Sequence, residues 1–260
     1  MNKRRLLLWW CLLLAGSQVA SAVYASEPPV RIAAASSMRF VLDALISAHR
    51  DNGAAATIQP VYGSSGNLYR QIVQGAPFDL FLSADHALVE KLAATGVVDR
   101  SLLFGHGRLM LYSGENIAAD QLIEQFTTAI KRGLLQDKSF QIAIANPAHA
   151  PYGKAARQAL QSMGLWQAGQ PYMVVADNVS QAAQFAQTGA VAFALVADAL
   201  TTQLPGQATA IDQQHYSPVQ LTLGVINHNA GADSFVDFIA LPQAQQIIDQ
   251  YGLLATKVTE

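Results

Sequence analysis

Hydroxyl-bearing residues gather beside small ones at four places in this sequence. Ser36 and Ser37 follow Ala33-Ala34-Ala35. Ser64 and Ser65 stand between Gly63 and Gly66, with Tyr62 before them and Asn67 after. The third place is Asn146-Pro147-Ala148-His149-Ala150-Pro151-Tyr152-Gly153, and the fourth is Ala176-Asp177-Asn178-Val179-Ser180. Such residues can hold an anion without a formal cation, provided each segment opens a helix. The first N–H groups of a helix have no partner within it and carry partial positive charge. The alanines before Ser36, and Gly63 and Gly66, would let a ligand approach the backbone closely. The ordinary alternative is that these are plain helix caps, a common use of Ser, Asn and Asp. Four such junctions in one chain, two with paired serines, weigh against caps alone.

Other chemistries fit less well. Gly63-Ser64-Ser65-Gly66 could be the nucleophile turn of a serine hydrolase, but Gly-x-Ser-x-Gly would need glycine at 67, where Asn67 stands. No downstream Asp and His occupy the expected context, so no enzyme is expected. His149 lies close to Tyr152 and could assist an anion when protonated; the more ordinary role is a turn histidine with satisfied hydrogen bonds. The remaining histidines, at 49, 86, 106, 215 and 228, show no metal-ligand spacing.

The elements that must position these residues follow from periodicity. Val30 to Ala35 reads as a strand, and 40–49 has apolar residues at helical spacing. Strand 57–62, helix 68–73, strand 79–82 and helix 87–94 follow, with Asp85 as a candidate N-cap. Strand 108–112, helix 119–132, strand 141–145 and helix 152–163 continue the pattern. Strand 172–176, helix 179–188, strand 190–196, strand 221–227 and two closing helices near 232–240 and 242–251 complete it. Such alternation predicts α/β architecture with largely parallel sheets covered by helices. In open α/β sheets ligands bind beyond the carboxyl ends of the strands, where the four junctions lie.

The 260 residues suffice for one large or two small domains, and 51% hydrophobic against 13% charged residues indicates a packed core. Lys3, Arg4 and Arg5, the apolar run 6–15 and the small residues ending at Ala22 or Ala25 read as an export signal spanning 1–25. The apolar run is too short to cross a bilayer, which takes about 20 residues. Removing three cations from 16 leaves 13 against 18 acidic residues, a net of −5. Without a basic patch, nucleic acid is not an expected partner. The single cysteine, Cys11, falls inside the apolar run, so the remainder has no thiol for a disulfide, an Fe–S cluster or a cysteine-based zinc site.

The order and wording of the motifs resemble the periplasmic molybdate-binding proteins of ABC importers, ModA-like members of the type II periplasmic binding proteins. The resemblance runs from about residue 30 onward. It rests on Ala33-Ala34-Ala35-Ser36, on Gly63-Ser64-Ser65 with Leu68-Tyr69-Arg70-Gln71-Ile72, and on Gly75-Ala76-Pro77-Phe78-Asp79-Leu80-Phe81-Leu82-Ser83-Ala84-Asp85. Pro147 to Gly153, Asn178-Val179 and Tyr251-Gly252 complete it.

The resemblance implies two α/β lobes, each a mixed, largely parallel sheet covered by helices, with the ligand in the cleft between them. The chain would cross near 109–112 and 216–221, giving one lobe from 26–110 plus 220–260 and the other from 111–219. It implies a monomer that takes molybdate or tungstate, needs no cofactor, and hands its ligand to an ABC permease in the inner membrane. Sulfate is the alternative ligand. Phosphate is disfavoured because it carries a proton at neutral pH, and the expected site lists donors and no carboxylate acceptor. Ser36, Ser37 and Ser65 match the family's serine donors, and Val179 matches a backbone N–H donor. No residue would touch the metal itself. Some family members carry the ligand tyrosine on the strand that here holds Ala197; others carry it in the Pro-Tyr-Gly turn, which Tyr152 matches.

Overall fold

The computed structural model describes residues 28–115, 117–133 and 141–253; the expected export signal lies outside the described residues. The chain runs β1 (Val30–Ala35), α1 (Arg39–Asp51), β2 (Ile58–Gly63), α2 (Ser65–Val73), β3 (Leu80–Ser83), α3 (His86–Ala94), β4 (Arg100–Gly107) and β5 (Leu109–Ser113). It continues with α4 (Ala119–Lys131), β6 (Ile142–Ala145), α5 (Pro151–Ser162), α6 (Trp166–Gly169), β7 (Met173–Ala176), α7 (Val179–Gln187), β8 (Phe193–Ala197), α8 (Asp198–Thr201) and β9 (Gln207–Ala210). β10 (Val219–Val225), α9 (Ala230–Ile239) and α10 (Pro242–Gln250) close it. A 3₁₀ turn, Ser36–Met38, joins β1 to α1.

Two five-stranded sheets result, ordered β2-β1-β3-β10-β4 and β7-β6-β8-β5-β9. In the first, β1 pairs in parallel with β2 and β3, while β10 runs antiparallel to β3 and β4. The second repeats the scheme: β6 is parallel to β7 and β8, and β5 is antiparallel to β8 and β9. Each sheet is thus half parallel and half antiparallel, less parallel than the alternation predicted. The antiparallel half comes from the strands that carry the chain between sheets. The passage out is Arg108, between β4 and β5, slightly earlier than the expected 109–112, and Leu109 and Met110 already belong to the second sheet. The passage back lies between β9 and β10.

This topology aims the helix starts. Because β1 and β2 are parallel, α1 and α2 both begin at the same edge of the first sheet. Because β6 and β7 are parallel, α5 and α7 begin at one edge of the second. Fully buried alanines at 33–35, 143 and 145 line the strands that lead there. Apolar residues at helical spacing seat the helices: Val41, Leu42 and Leu45 of α1, Leu68 and Ile72 of α2, and Ala182, Ala183 and Ala186 of α7 are all buried.

Two strands escape the periodicity. β4 is an edge strand in which Gly105-His106-Gly107 breaks the apolar run, and among the described residues it pairs only with β10. β9 is four residues long, half-exposed, and held at an edge by β5. Asp85 stands in the N-cap position of α3 but makes no side-chain cap bond. Its carboxylate instead meets Lys154 Nζ of the other lobe at 2.9 Å.

Candidate functional site

The four junctions converge on one cavity between the lobes, lined by Ala35, Ser36, Ser37, Gly63, Ser64, Ser65, Ala84, Ala150, Pro151, Tyr152 and Val179. All five residues expected to donate to a ligand, Ser36, Ser37, Ser65, Tyr152 and Val179, are there. Ser36, Ser37 and Ser65 come from the first lobe; Tyr152 and Val179 come from the second. The cavity is small and walled mainly by buried residues. Its lining contains no Asp, Glu, Lys, Arg or His.

The hydroxyls are not helix caps. Neither the turn at Ser36 nor α2 at Ser64 has a side-chain cap bond, whereas Asn178 caps α7 by accepting from Gln181 N–H at 3.1 Å. That cap leaves Val179 as the first residue of α7, with an N–H that has no partner in the helix. Ser65 Oγ accepts from Ala84 N–H at 2.9 Å, and Ser36 Oγ accepts a longer bond from Ser180 N–H at 3.4 Å. An accepting hydroxyl keeps its proton to give, so both serines remain donors toward the cavity.

Ser37 Oγ and Tyr152 Oη are, among the described residues, the buried side-chain polar atoms without a hydrogen-bond partner. Both line this cavity. A buried unpaired hydroxyl costs about 1–3 kcal/mol, and two in one cavity point to a ligand that accepts from both. Burial, reinforced by the Asp198 carboxylate and Tyr216, raises the pKa of Tyr152 well above its ordinary value. Its hydroxyl therefore keeps its proton and stays a donor.

Sequence reasoning passed over three residues that complete the arrangement. Ser64 also lines the cavity, and its Oγ lies 2.7 Å from His149 Nδ1 across the cleft. Gly107, at the end of β4, makes room for the tyrosine: a Cβ there would lie 1.9 Å from Tyr152 Oη. Ser180 ties the lobes together, its Oγ donating to the Ser36 carbonyl at 2.8 Å. Ser64 and Ser180 lie within the second and fourth serine-bearing junctions, whereas no local signal marks Gly107. Ala197, the alternative tyrosine position, is fully buried on β8 and pairs with Leu109.

Outward from Ser36 the cleft widens into a polar groove lined by Arg39, Tyr62, Asn178, Ser180, Gln181 and Gln184. The Arg39 guanidinium lies 5.8 Å from the centre of the Tyr62 ring.

The profile described as "Bacterial extracellular solute-binding protein" matches residues 30–254. The molybdate-binding protein ModA of Rhodobacter capsulatus is 32% identical over 202 residues, covering 75% of this chain and 77% of its own. Among solved structures, the Azotobacter vinelandii periplasmic molybdate-binding protein superposes with a TM-score of 0.78 at 27% identity, over 88% of this chain and 100% of its own. The sulfate-binding protein SubI from Mycobacterium tuberculosis H37Rv superposes with a TM-score of 0.67 at 14% identity, over 88% of each chain, a likeness of fold alone.

Proposed function

The chain belongs to the bacterial extracellular solute-binding protein family, and from that premise we propose that it captures molybdate, and its near-isostere tungstate, for delivery to an ABC permease. It acts as a binding protein and not an enzyme. The observation that carries the reading is the single small cavity where four helix starts bring together donors and no carboxylate. A fully deprotonated tetrahedral oxyanion suits such a site better than protonated phosphate, because the lining holds no carboxylate to take the phosphate proton and each hydroxyl that accepts it is lost as a donor. The preference for molybdate over sulfate is supported by the relatives that share about a third of their residues with this chain and are named for molybdate.

In this reading Ser36, Ser37, Ser65 and Tyr152 donate through hydroxyls and Val179 through its backbone N–H, all to oxygens of the ligand. The export signal at 1–25 is cleaved after Ala22 or Ala25. The protein then works as a monomer in the periplasm and meets its permease at the inner membrane. No helix among the described residues is long and apolar enough to cross a membrane.

The test is ligand-dependent melting of the purified protein with molybdate, tungstate, sulfate and phosphate at equal concentrations, followed by calorimetry. A ligand bound only by the folded state stabilises it by RT ln(1 + [L]/Kd), about 2.7 kcal/mol at a hundredfold excess over Kd. Molybdate and tungstate should raise the melting temperature; sulfate and phosphate should do little. Equal shifts for all four would remove the claim of selectivity.

A further inference from the structure

His149 sits in the turn between β6 and α5 of the second lobe and reaches into the first. Its carbonyl accepts the Gly66 N–H at 2.9 Å, and its ring Nδ1 lies 2.7 Å from Ser64 Oγ. The position is fixed by backbone: a Cβ at residue 66 would come within 2.6 Å of the His149 carbonyl oxygen, so only glycine permits the approach. The ring is largely buried, with its side chain 12% exposed.

Ser64 lines the cavity and is itself buried. A hydroxyl has one proton and two acceptor lone pairs. If Nδ1 is a bare lone pair, Ser64 must spend its proton on the ring and turn its own lone pairs toward the cavity, which repels an oxyanion. If Nδ1 carries hydrogen, the ring donates to Ser64 Oγ and the serine proton is released toward the cavity. The direction of this one bond therefore decides whether Ser64 opposes the ligand or holds it.

The other ring nitrogen faces a carboxylate. Nε2 lies 3.8 Å from Asp177 Oδ1, beyond hydrogen-bond length but near enough for the negative charge to favour hydrogen on Nε2. A neutral imidazole has one hydrogen for two places, and serving Ser64 and Asp177 together takes an imidazolium. The neighbouring charged groups have partners of their own. Asp177 comes from the β7–α7 junction and is also held by Asn67 Nδ2 at 3.2 Å. Arg70 of α2 is hydrogen-bonded to Asn67 Oδ1. On the α5 side, Lys154 is paired with Asp85.

Building on the molybdate reading, we propose that His149 is a positioning residue that turns the Ser64 hydroxyl into a sixth donor, and that oxyanion binding is coupled to uptake of a proton by its ring. Calorimetric titration with molybdate in two buffers of different ionisation enthalpy, from about pH 5.5 to 8.5, measures that proton directly. The parent should take up a fraction of one proton, and its affinity should fall as pH rises, by up to about tenfold per pH unit. In His149→Asn the amide NH₂ can donate to Ser64 at any pH, so this variant should recover most of the affinity that His149→Ala loses, without pH dependence or proton uptake. Ser64→Ala should also lose the pH dependence, and melting without ligand checks that each variant is folded. Molybdate binding by the parent with a flat pH profile and no proton uptake overturns the inference. So does proton uptake that persists in His149→Asn or Ser64→Ala. A parent that binds no molybdate at any pH overturns the functional reading itself, a different result from binding without a proton.

Discussion

At the scale of residues, the proposed site is a set of hydroxyls and one backbone N–H that could each donate to a ligand. Hydrogen bonds to charged groups are worth about 1.5–3 kcal/mol, so Ser36→Ala and Ser65→Ala should each weaken molybdate binding roughly tenfold to a hundredfold by calorimetry. Tyr152→Phe should lose affinity similarly, yet without ligand it should melt no lower than the parent. The hydroxyl it removes is buried without a partner, and relief of about 1 kcal/mol would raise melting by about 2–4 °C in a chain this size. Parental affinity in Tyr152→Phe would remove the tyrosine from the site. Val179→Ala should bind almost like the parent, because the N–H survives; Val179→Pro deletes that N–H and should bind poorly. Gly107→Ala tests the same tyrosine from the other side, because its methyl would occupy the place of the hydroxyl. It should mimic Tyr152→Phe in affinity while losing stability.

At the scale of elements, two histidines fasten α9 to the first lobe with opposite responses to pH. His49 of α1 packs against Phe235 and Phe238 at ring distances of 5.3 and 5.2 Å and meets Ser234 Oγ at 3.1 Å. Burial lowers its pKa below 6.5. Its contribution to stability is therefore present above the unfolded value and declines as pH falls through 6.5, where the unfolded chain takes a proton that the folded one resists. His228 lies 2.6 Å from Asp233 and 2.8 Å from Asp99, and these two partners raise its pKa above 6.5. Its contribution is complete below 6.5 and is lost as pH rises through the raised value. NMR titration should place the His49 midpoint below 6.5 and the His228 midpoint above it. In denaturant melts, His228→Gln should be less stable than the parent at pH 6 and converge with it in alkali. Both midpoints at the ordinary value would contradict the packing described for α9.

At the scale of the whole molecule, the lobes are closed on one another. The bonds across the cleft run from Ser180 to Ser36, from Gly66 to His149, from Asn67 to Asp177 and from Lys154 to Asp85. A ligand gripped by donors from both lobes gains contacts only in the closed state and shifts the population toward it. Small-angle scattering should therefore show a radius of gyration that falls, and never rises, on adding molybdate. Growth of the particle would mean that the ligand does not bridge the lobes. The Lys154–Asp85 pair is partly exposed, and such pairs are worth about 1 kcal/mol or less. Lys154→Met should accordingly weaken binding by no more than severalfold, with the difference shrinking in high salt.

Local pattern in the sequence already set the α/β alternation, most strand and helix positions, and the four junctions with their hydroxyls. Those features depend on near neighbours: β-branched runs, apolar spacing of three and four, and small residues at helix starts. Folding in three dimensions decided the rest, because it depends on residues far apart in the chain. Nothing near Gly107 reveals that Tyr152 will need its space. Asp85 has the residue type and place of a helix cap, but Lys154, 69 positions away, takes its carboxylate instead. Ser64 and Ser65 look alike in sequence. Only the tertiary structure gives one to His149 and the other to the Ala84 N–H, because a hydroxyl's role is set by the partner that packing brings to it.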